Sequence, residues 1–124
     1  FEKARHELIN TPEQMLSDGF GDETLFQFWL AEQESKVIGI ALCYFRYSTW
    51  KGKVLYLEDL VVKDSYRGKG IGSKLIRHLI QEAKKMGCQR MSWQVLDWNQ
   101  SAIEFYHQWP VISDSEWVNM HLEV

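Results

Sequence analysis

A glycine-rich segment, Ser65 to Ser73, has the residue types best suited to bind a phosphate group. Glycines stand at positions 68, 70 and 72, where they allow positive φ angles and close approach of a ligand to the backbone. Successive N–H groups of such a loop can point at one anion, and a helix that starts there adds the positive end of its dipole. The segment therefore predicts a phosphate or pyrophosphate site.

The order of residues in this loop excludes one familiar nucleotide site and fits a second poorly. A P-loop requires Lys-Ser or Lys-Thr after its last glycine, whereas Lys69 precedes Gly70 here. A dinucleotide-binding loop requires Gly-x-Gly-x-x-Gly, whereas these three glycines alternate with single residues. What remains is the pattern Arg67-x-x-Gly70-x-Gly72 between a strand-like and a helix-like segment.

The flanking elements must position this loop. Val54 to Val62 has the aliphatic and aromatic composition of a strand, and apolar residues recur at helical spacing from Gly70 to Met86. Gly87 is suited to end that helix. The predicted elements, in chain order, are a helix at 11–19, strands at 25–32, 36–47 and 53–63, a helix at 70–86, a strand at 89–96, a helix at 99–108 and a last strand at 117–123. This order predicts an α/β fold with a mixed central sheet and flanking helices.

Composition favours one small domain with a cationic partner. With 124 residues, of which 45% are apolar, the chain can bury one core but not two. The net charge of −3 and the dispersed basic residues give no footprint for nucleic acid. No run of eighteen apolar residues is present, which argues against a membrane span. We therefore expect neither a nucleic-acid partner nor a membrane partner.

The cysteines and histidines do not indicate a metal site. Cys43 and Cys88 have no metal-ligand spacing, and we expect two reduced thiols in a cytoplasmic protein. The four histidines are scattered and predict surface roles; they are His6, His78, His107 and His121.

The loop and its placement resemble the acetyl-coenzyme A pyrophosphate loop of the GNAT N-acetyltransferase superfamily. Matches along nearly the whole chain resemble the spermidine/spermine and thialysine N-acetyltransferase branch; they are Asp18-Gly-Phe-Gly21, Tyr56-Leu-Glu-Asp59, Tyr66 to Ser73, Trp98-Asn99, Phe105-Tyr106 and Glu116-Trp117. The resemblance implies one GNAT domain at residues 1–124 that lacks the first strand and helix of the family. It also implies an enzyme that commonly forms a homodimer.

The resemblance implies a catalytic acid and base. An alkyl ammonium has a pKa near 10.4, so acetyl transfer to an amine requires proton removal, and Glu58 is the candidate base, acting through water. Asp59 would join it only if a strand bulge placed both acids on one side, and GNAT strands commonly carry such a bulge. Tyr106 stands where the family keeps the tyrosine that protonates the departing thiolate. The alternatives are a solvated acidic pair and a packing tyrosine.

The resemblance also implies two sets of binding residues. Those expected to bind acetyl-coenzyme A are Leu60, Val61, Val62, Arg67, Gly68, Lys69, Gly70, Ile71, Gly72, Ser73, Asn99, Ala102 and Tyr106. Those expected to surround a cationic amine are Glu2, Trp50, Glu58, Asp59, Ser92, Trp93, Gln94, Glu116 and Trp117. The family often has an acid just before Trp50, whereas this chain has Ser48-Thr49, which weakens the match to a long polyamine.

The predicted function is transfer of an acetyl group from acetyl-coenzyme A to a primary amine of a polyamine, a diamine or a thialysine-like acceptor. Two alternatives stay open at this point. One is a coenzyme-A-binding module without turnover, and the other is a GNAT enzyme for a different amine, such as an aminoglycoside or a protein N-terminus.

Overall fold

The computed structural model describes residues 9–124, which form three α-helices, one 3₁₀ helix and four strands. In chain order they are α1 (Pro12–Phe20), β1 (Gln27–Gln33), β2 (Lys36–Ser48), β3 (Gly52–Val62), the 3₁₀ helix (Asp64–Tyr66), α2 (Ile71–Lys85), β4 (Arg90–Ser92) and α3 (Gln100–Tyr106). The chain divides into two units, Phe1–Trp93 and Gln94–Val124. That residues 1–124 form a single domain stays a prediction.

The first unit contains the sheet, whose strand order is β1-β2-β3-β4. The first three strands are antiparallel, and β4 is parallel to β3. With α1 and α2 beside it, this is the α/β architecture with a mixed sheet that the sequence predicts. Thr11 accepts a hydrogen bond from the backbone N–H of Gln14 and so begins α1, as its residue type indicates.

Helix α2 covers the buried part of the sheet. It contacts β2 and β3, and its buried side chains are Leu75, Ile76, Leu79 and Ala83, with Ser73 at its start. From the sheet, Cys43 and Leu55 contribute side chains that are fully buried. Burial raises the pKa of the Cys43 thiol to about 12, and both cysteines are free, as expected. The core therefore holds the start of α2 in a fixed position relative to β3.

Lys53 ties β3 to the far end of α2. Its Nζ donates to the backbone oxygen of Met86, the C-cap of α2, at 3.1 Å and lies 4.1 Å from the centre of the Phe45 ring. A cation is favourable at a helix C-terminus and over an aromatic face. We expect Lys53→Met to lower the free energy of unfolding by about 1 to 2 kcal/mol in urea denaturation.

Lys85→Met is the matched control for this prediction. Lys85 lies in the last turn of α2, its side chain is 75% exposed, and its Nζ pairs with the Glu82 carboxylate at 3.8 Å. An exposed pair of this kind contributes less than about 1 kcal/mol. Equal losses of stability in the two variants would mean that the Lys53 contacts contribute nothing beyond those of a surface lysine.

Two of the predicted strands differ in the structure. The strand predicted at 89–96 covers only Arg90–Ser92, because its pairing with β3 ends at Ser92. The strand predicted at 117–123 is wrong: residues 117–124 have no regular structure and pair with no strand of the described chain. Their apolar side chains Trp117, Val118, Met120 and Leu122 are 77–88% exposed. An alternating pattern without a neighbouring strand has no partner for its backbone groups.

The helices of residues 9–124 were also compared with the length and apolar character of a membrane span. None of them is long and apolar enough to cross a bilayer.

Candidate active site

The glycine loop leads directly into α2. Gly68 and Gly70 have φ angles of +76° and +80°, as expected for a loop that turns its N–H groups toward a ligand. Gly70 is the N-cap of α2 and provides no side-chain hydrogen bond to the first turn. Gly72 differs from the prediction, since it lies in the first turn of α2 and has no positive φ. Two of the three glycines thus shape the loop.

Two cationic side chains flank this loop. Arg67 donates from Nε to the backbone oxygen of Val62 at 3.2 Å and pairs with Asp64 at 3.1 Å, so it fixes the end of β3 to the loop. The Nζ atom of Lys69 lies 5.4 Å from the centre of the Tyr66 ring. Ile71 begins the helix, and Ser73 is buried. The loop therefore combines backbone N–H groups, a helix start and two cations, which suits a pyrophosphate group.

A β-bulge lies at Glu58. Cys43 pairs with Leu57 while the preceding residue of β2, Leu42, pairs with Asp59, which leaves Glu58 as the extra residue of β3. The bulge ends the strict alternation of faces, and Glu58 and Asp59 are both exposed although they are adjacent. The bulge that would bring the two acids together is therefore present.

Next to this bulge, one edge of β3 is open. Pairing with β4 covers only Val54 to Tyr56, and on that side residues 57–62 pair with no strand of the described chain. Leu60, Val61 and Val62 are half-buried and pair with β2 through their other edge. An extended ligand that lies between the acids and the glycine loop could therefore pair with this edge, where the Val62 oxygen already accepts from Arg67.

Two tyrosines and an arginine accompany Glu58. The rings of Tyr44 and Tyr56, which are directly opposite in the sheet, lie 5.1 Å apart, and the Arg46 guanidinium carbon is 4.8 Å from the centre of the Tyr56 ring. Burial raises the pKa of both tyrosines, the charge of Glu58 raises it further, and that of Arg46 lowers it. The charges of Glu58 and Arg46 thus have opposite effects on the pKa of the same two tyrosines.

The structure does not bring all predicted acceptor residues together. Trp50 is 91% exposed in the turn between β2 and β3, about 20 Å of strand away from Glu58 at 3.3 Å per residue. Ser92 ends β4 opposite Tyr56, and the half-buried Trp93 follows it. Glu2 lies outside the described residues. Their binding roles stay predictions.

The second unit carries the remaining predicted residues. Asn99 caps α3 by accepting from the N–H of Ala102 at 3.2 Å, as its residue type indicates. Tyr106 ends α3, its ring lies 5.0 Å from that of Phe105, and burial raises the pKa of its phenol. The predicted acceptor residues of this unit, all exposed, are Gln94, Glu116 and Trp117.

The sequence analysis assigns no role to Tyr44 or Arg46, and it includes Tyr56 only as part of the match Tyr56-Leu-Glu-Asp59. The sequence signal of these residues is weak, because an arginine at an alternating strand position is typical of an ordinary solvated charge.

A groove of about 490 Å³ between α1, β1 and the end of α2 contains none of the predicted site residues. Among residues 9–124, no three His, Cys, Asp or Glu side chains lie close enough together to hold a metal ion.

Comparison with known proteins shows which family has this sequence. Residues 2–109 match the model of the acetyltransferase (GNAT) family. The chain is 41% identical over 114 residues to thialysine N-epsilon-acetyltransferase of Mus musculus, a match that covers 86% of this chain and 67% of that protein. It is 41% identical over 103 residues to spermidine/spermine N(1)-acetyltransferase-like protein 1 of Homo sapiens, covering 77% of this chain and 15% of that protein.

A solved structure has the same fold. An integron cassette protein from the mobile metagenome of V. cholerae superposes with a TM-score of 0.77 at 28% identity, covering 92% of this chain and 74% of that one. The family match over most of the chain agrees with the bulged acidic strand, its open edge and the glycine loop that follows. The chain therefore belongs to the acetyltransferase (GNAT) family and is an acetyltransferase.

Proposed function

We propose that this acetyltransferase transfers the acetyl group of acetyl-coenzyme A to a primary amine of a small cationic acceptor: a polyamine, a diamine or thialysine. The observation that carries the proposal is the open edge of β3, which lies between the exposed acids at the bulge and the glycine loop. One extended substrate can contact the edge and the loop together, and the acids are exposed at the bulge beside it.

The donor is proposed to bind along β3 and the start of α2. Its pantetheine arm would run along the open edge of β3 at Leu60, Val61 and Val62, where no strand of residues 9–124 pairs. Its pyrophosphate would lie on the N–H groups of the loop, beside Arg67 and Lys69. The fit is supported by Gly70, where an added Cβ would meet no protein atom within 4 Å, so space for a ligand is open there.

The reaction is an acyl transfer in which atoms and protons balance. Glu58 takes a proton from the ammonium group through a water molecule, and the free amine attacks the thioester carbonyl carbon. The tetrahedral intermediate then expels the coenzyme A thiolate, and Tyr106 donates its phenolic proton to the sulfur. The second proton of the attacking nitrogen passes to the Tyr106 oxygen, which leaves a neutral amide and restores the phenol. Since burial raises the pKa of Tyr106, the phenol keeps its proton at neutral pH and is ready to donate it.

Acidic side chains are proposed to attract the acceptor. Glu58 and Asp59 are exposed together at the bulge, and carboxylates favour the charged form of an amine near them. The tryptophans proposed to offer aromatic faces to a cationic acceptor are Trp50, Trp93 and Trp117. A homodimer and a cytoplasmic location remain predictions.

A loop variant tests the donor site and the reaction together. We expect the protein to release coenzyme A thiol from acetyl-coenzyme A in the presence of thialysine or a diamine, with acetylated amine found by mass spectrometry. Gly70→Ala places a methyl group where the pyrophosphate approaches the backbone, so the Kd for coenzyme A in calorimetry should rise about tenfold or more.

Gly87→Ala is the matched control. Gly87 has a φ of +77° and an added Cβ there also meets no protein atom within 4 Å, so both variants carry the same backbone strain of about 1 to 2 kcal/mol. Gly87 follows the C-cap of α2, at the end away from the loop. Unchanged coenzyme A affinity in folded Gly70→Ala would refute the donor site, and tight binding without any acetylated product would identify a binding module.

A further inference from the structure

Arg46 presents an exposed positive charge on the same sheet face as Tyr56. It is paired with Val54 in the sheet and reaches across to Tyr56, where its guanidinium carbon lies 4.8 Å from the ring centre. Stacking on a ring uses the face of the guanidinium group and leaves its N–H edge available. Among residues 9–124, no carboxylate forms an ion pair with Arg46. An anionic ligand would complete its hydrogen bonding.

The distance from Arg46 to the acids suits a small bifunctional substrate. Glu58 follows Tyr56 by two residues, a step of about 7 Å along a strand. The guanidinium group stacks on Tyr56, and the backbone step from Tyr56 to Glu58 is comparable in length to the chain of a diamino acid. Arg46, Tyr44 and Tyr56 lie on one face of the sheet, and the charges of Arg46 and Glu58 both act on the pKa of the two phenols.

The two charges have opposite preferences. Glu58 and Asp59 favour an ammonium group, whereas a guanidinium group binds a carboxylate in a two-pronged geometry. A polyamine carries only positive charges, and Arg46 repels each of them. A diamino acid places its side-chain amine at the acids and its α-carboxylate at Arg46.

We propose that Arg46 binds the α-carboxylate of the acceptor, so that the enzyme prefers diamino acids of the thialysine type to polyamines and diamines. The inference rests on the proposed function and names the acceptor class for it. Arg46 then acts as a specificity-determining residue, while proton removal stays with Glu58.

A matched pair of acceptors tests this inference. Thialysine and bis(2-aminoethyl) sulfide differ only in the α-carboxylate. We expect the unmodified enzyme to have the higher kcat/KM for thialysine. Arg46→Met should lower that value about ten- to a hundredfold, mainly through KM. The value for the diamine should stay the same or rise a few-fold, because a repelling charge is removed. Arg46→Lys keeps the positive charge but cannot bind a carboxylate through two parallel N–H groups. It should therefore lose part of the preference for thialysine over the diamine.

Control variants separate recognition from folding. Arg77→Met removes an exposed arginine from α2 and should change neither acceptor's kcat/KM. Equal losses for the two acceptors in Arg46→Met would overturn the inference, because they would indicate a role in holding Tyr56. A preference of the unmodified enzyme for the diamine would also overturn it, while leaving the proposed function intact.

A binding measurement decides the inference even without turnover. If the protein acetylated neither of these acceptors nor a polyamine, the proposed function would fail. Calorimetry with thialysine and the coenzyme-A-bound protein would then show whether Arg46 binds the carboxylate. Binding that Arg46→Met weakens about tenfold or more supports the inference, and equal binding, or none to the unmodified protein, overturns it.

Discussion

Tyr106→Phe should lower kcat about a hundredfold while leaving the Kd for coenzyme A almost unchanged. The substitution removes one hydroxyl group and keeps the ring, which lies at the end of α3 beside Phe105. If that hydroxyl protonates the departing thiolate, its loss has the magnitude usual for a missing general acid. Steady-state thiol release and calorimetry with coenzyme A check the two quantities separately.

Tyr47→Phe is the control for this substitution. Tyr47 is 80% exposed on β2, so removal of its hydroxyl should change neither kcat nor the affinity for coenzyme A. A packing role for Tyr106 makes a different prediction, namely full turnover in Tyr106→Phe. That result would assign the phenol to the interior of the second unit and remove it from the reaction.

Glu58→Gln should lower kcat about a hundredfold at pH 7, with partial recovery as the pH rises toward 10. The variant keeps the size of the side chain at the bulge but cannot take a proton. An alkyl ammonium has a pKa near 10.4. Below that value, each rise of one pH unit increases the fraction of free amine about tenfold. The free amine needs no base to remove a proton. The ratio of the kcat of Glu58→Gln to that of the parent enzyme should therefore rise at high pH.

Asp59→Asn tests whether the neighbouring acid has the same role. Asp59 is exposed next to Glu58, and we assign it to attraction of the acceptor, so its loss should raise KM for the amine with little change in kcat. The comparison is a pH–rate profile from pH 6 to 10 for the three proteins. A Glu58→Gln profile parallel to that of the parent would show that Glu58 orders the site without removing a proton.

The parts of the fold that depend on local sequence were predictable. Helix α2 was predicted at 70–86, and the structure has Ile71–Lys85 with Gly70 and Met86 as its caps. A glycine with positive φ at each end, Gly70 and Gly87, limits a helix through its own backbone preference. Strand β3 and the bulge at Glu58 agree in the same way with the resemblance to the family.

The parts that depend on distant neighbours were not predictable. Residues 117–123 alternate in polarity as a strand does, yet a strand forms only where another strand offers backbone groups. The shortness of β4 has the same cause, since its extent is set by where β3 stops pairing at Tyr56. Arg46 was missed because its position over Tyr56 follows from the register of β2 and β3.

The sealed position of Cys43 determines how this protein responds to thiol reagents. Only the thiolate reacts with disulfides, maleimides and peroxide, and a pKa of about 12 leaves about one Cys43 thiol in ten thousand ionised at pH 8. The side chain is also fully buried, so a reagent reaches it only when the sheet opens. In a colorimetric assay of free thiols, Cys43 of the folded chain therefore adds no background. Once the half-buried Cys88 has reacted, a further slow rise measures the rate at which the core opens.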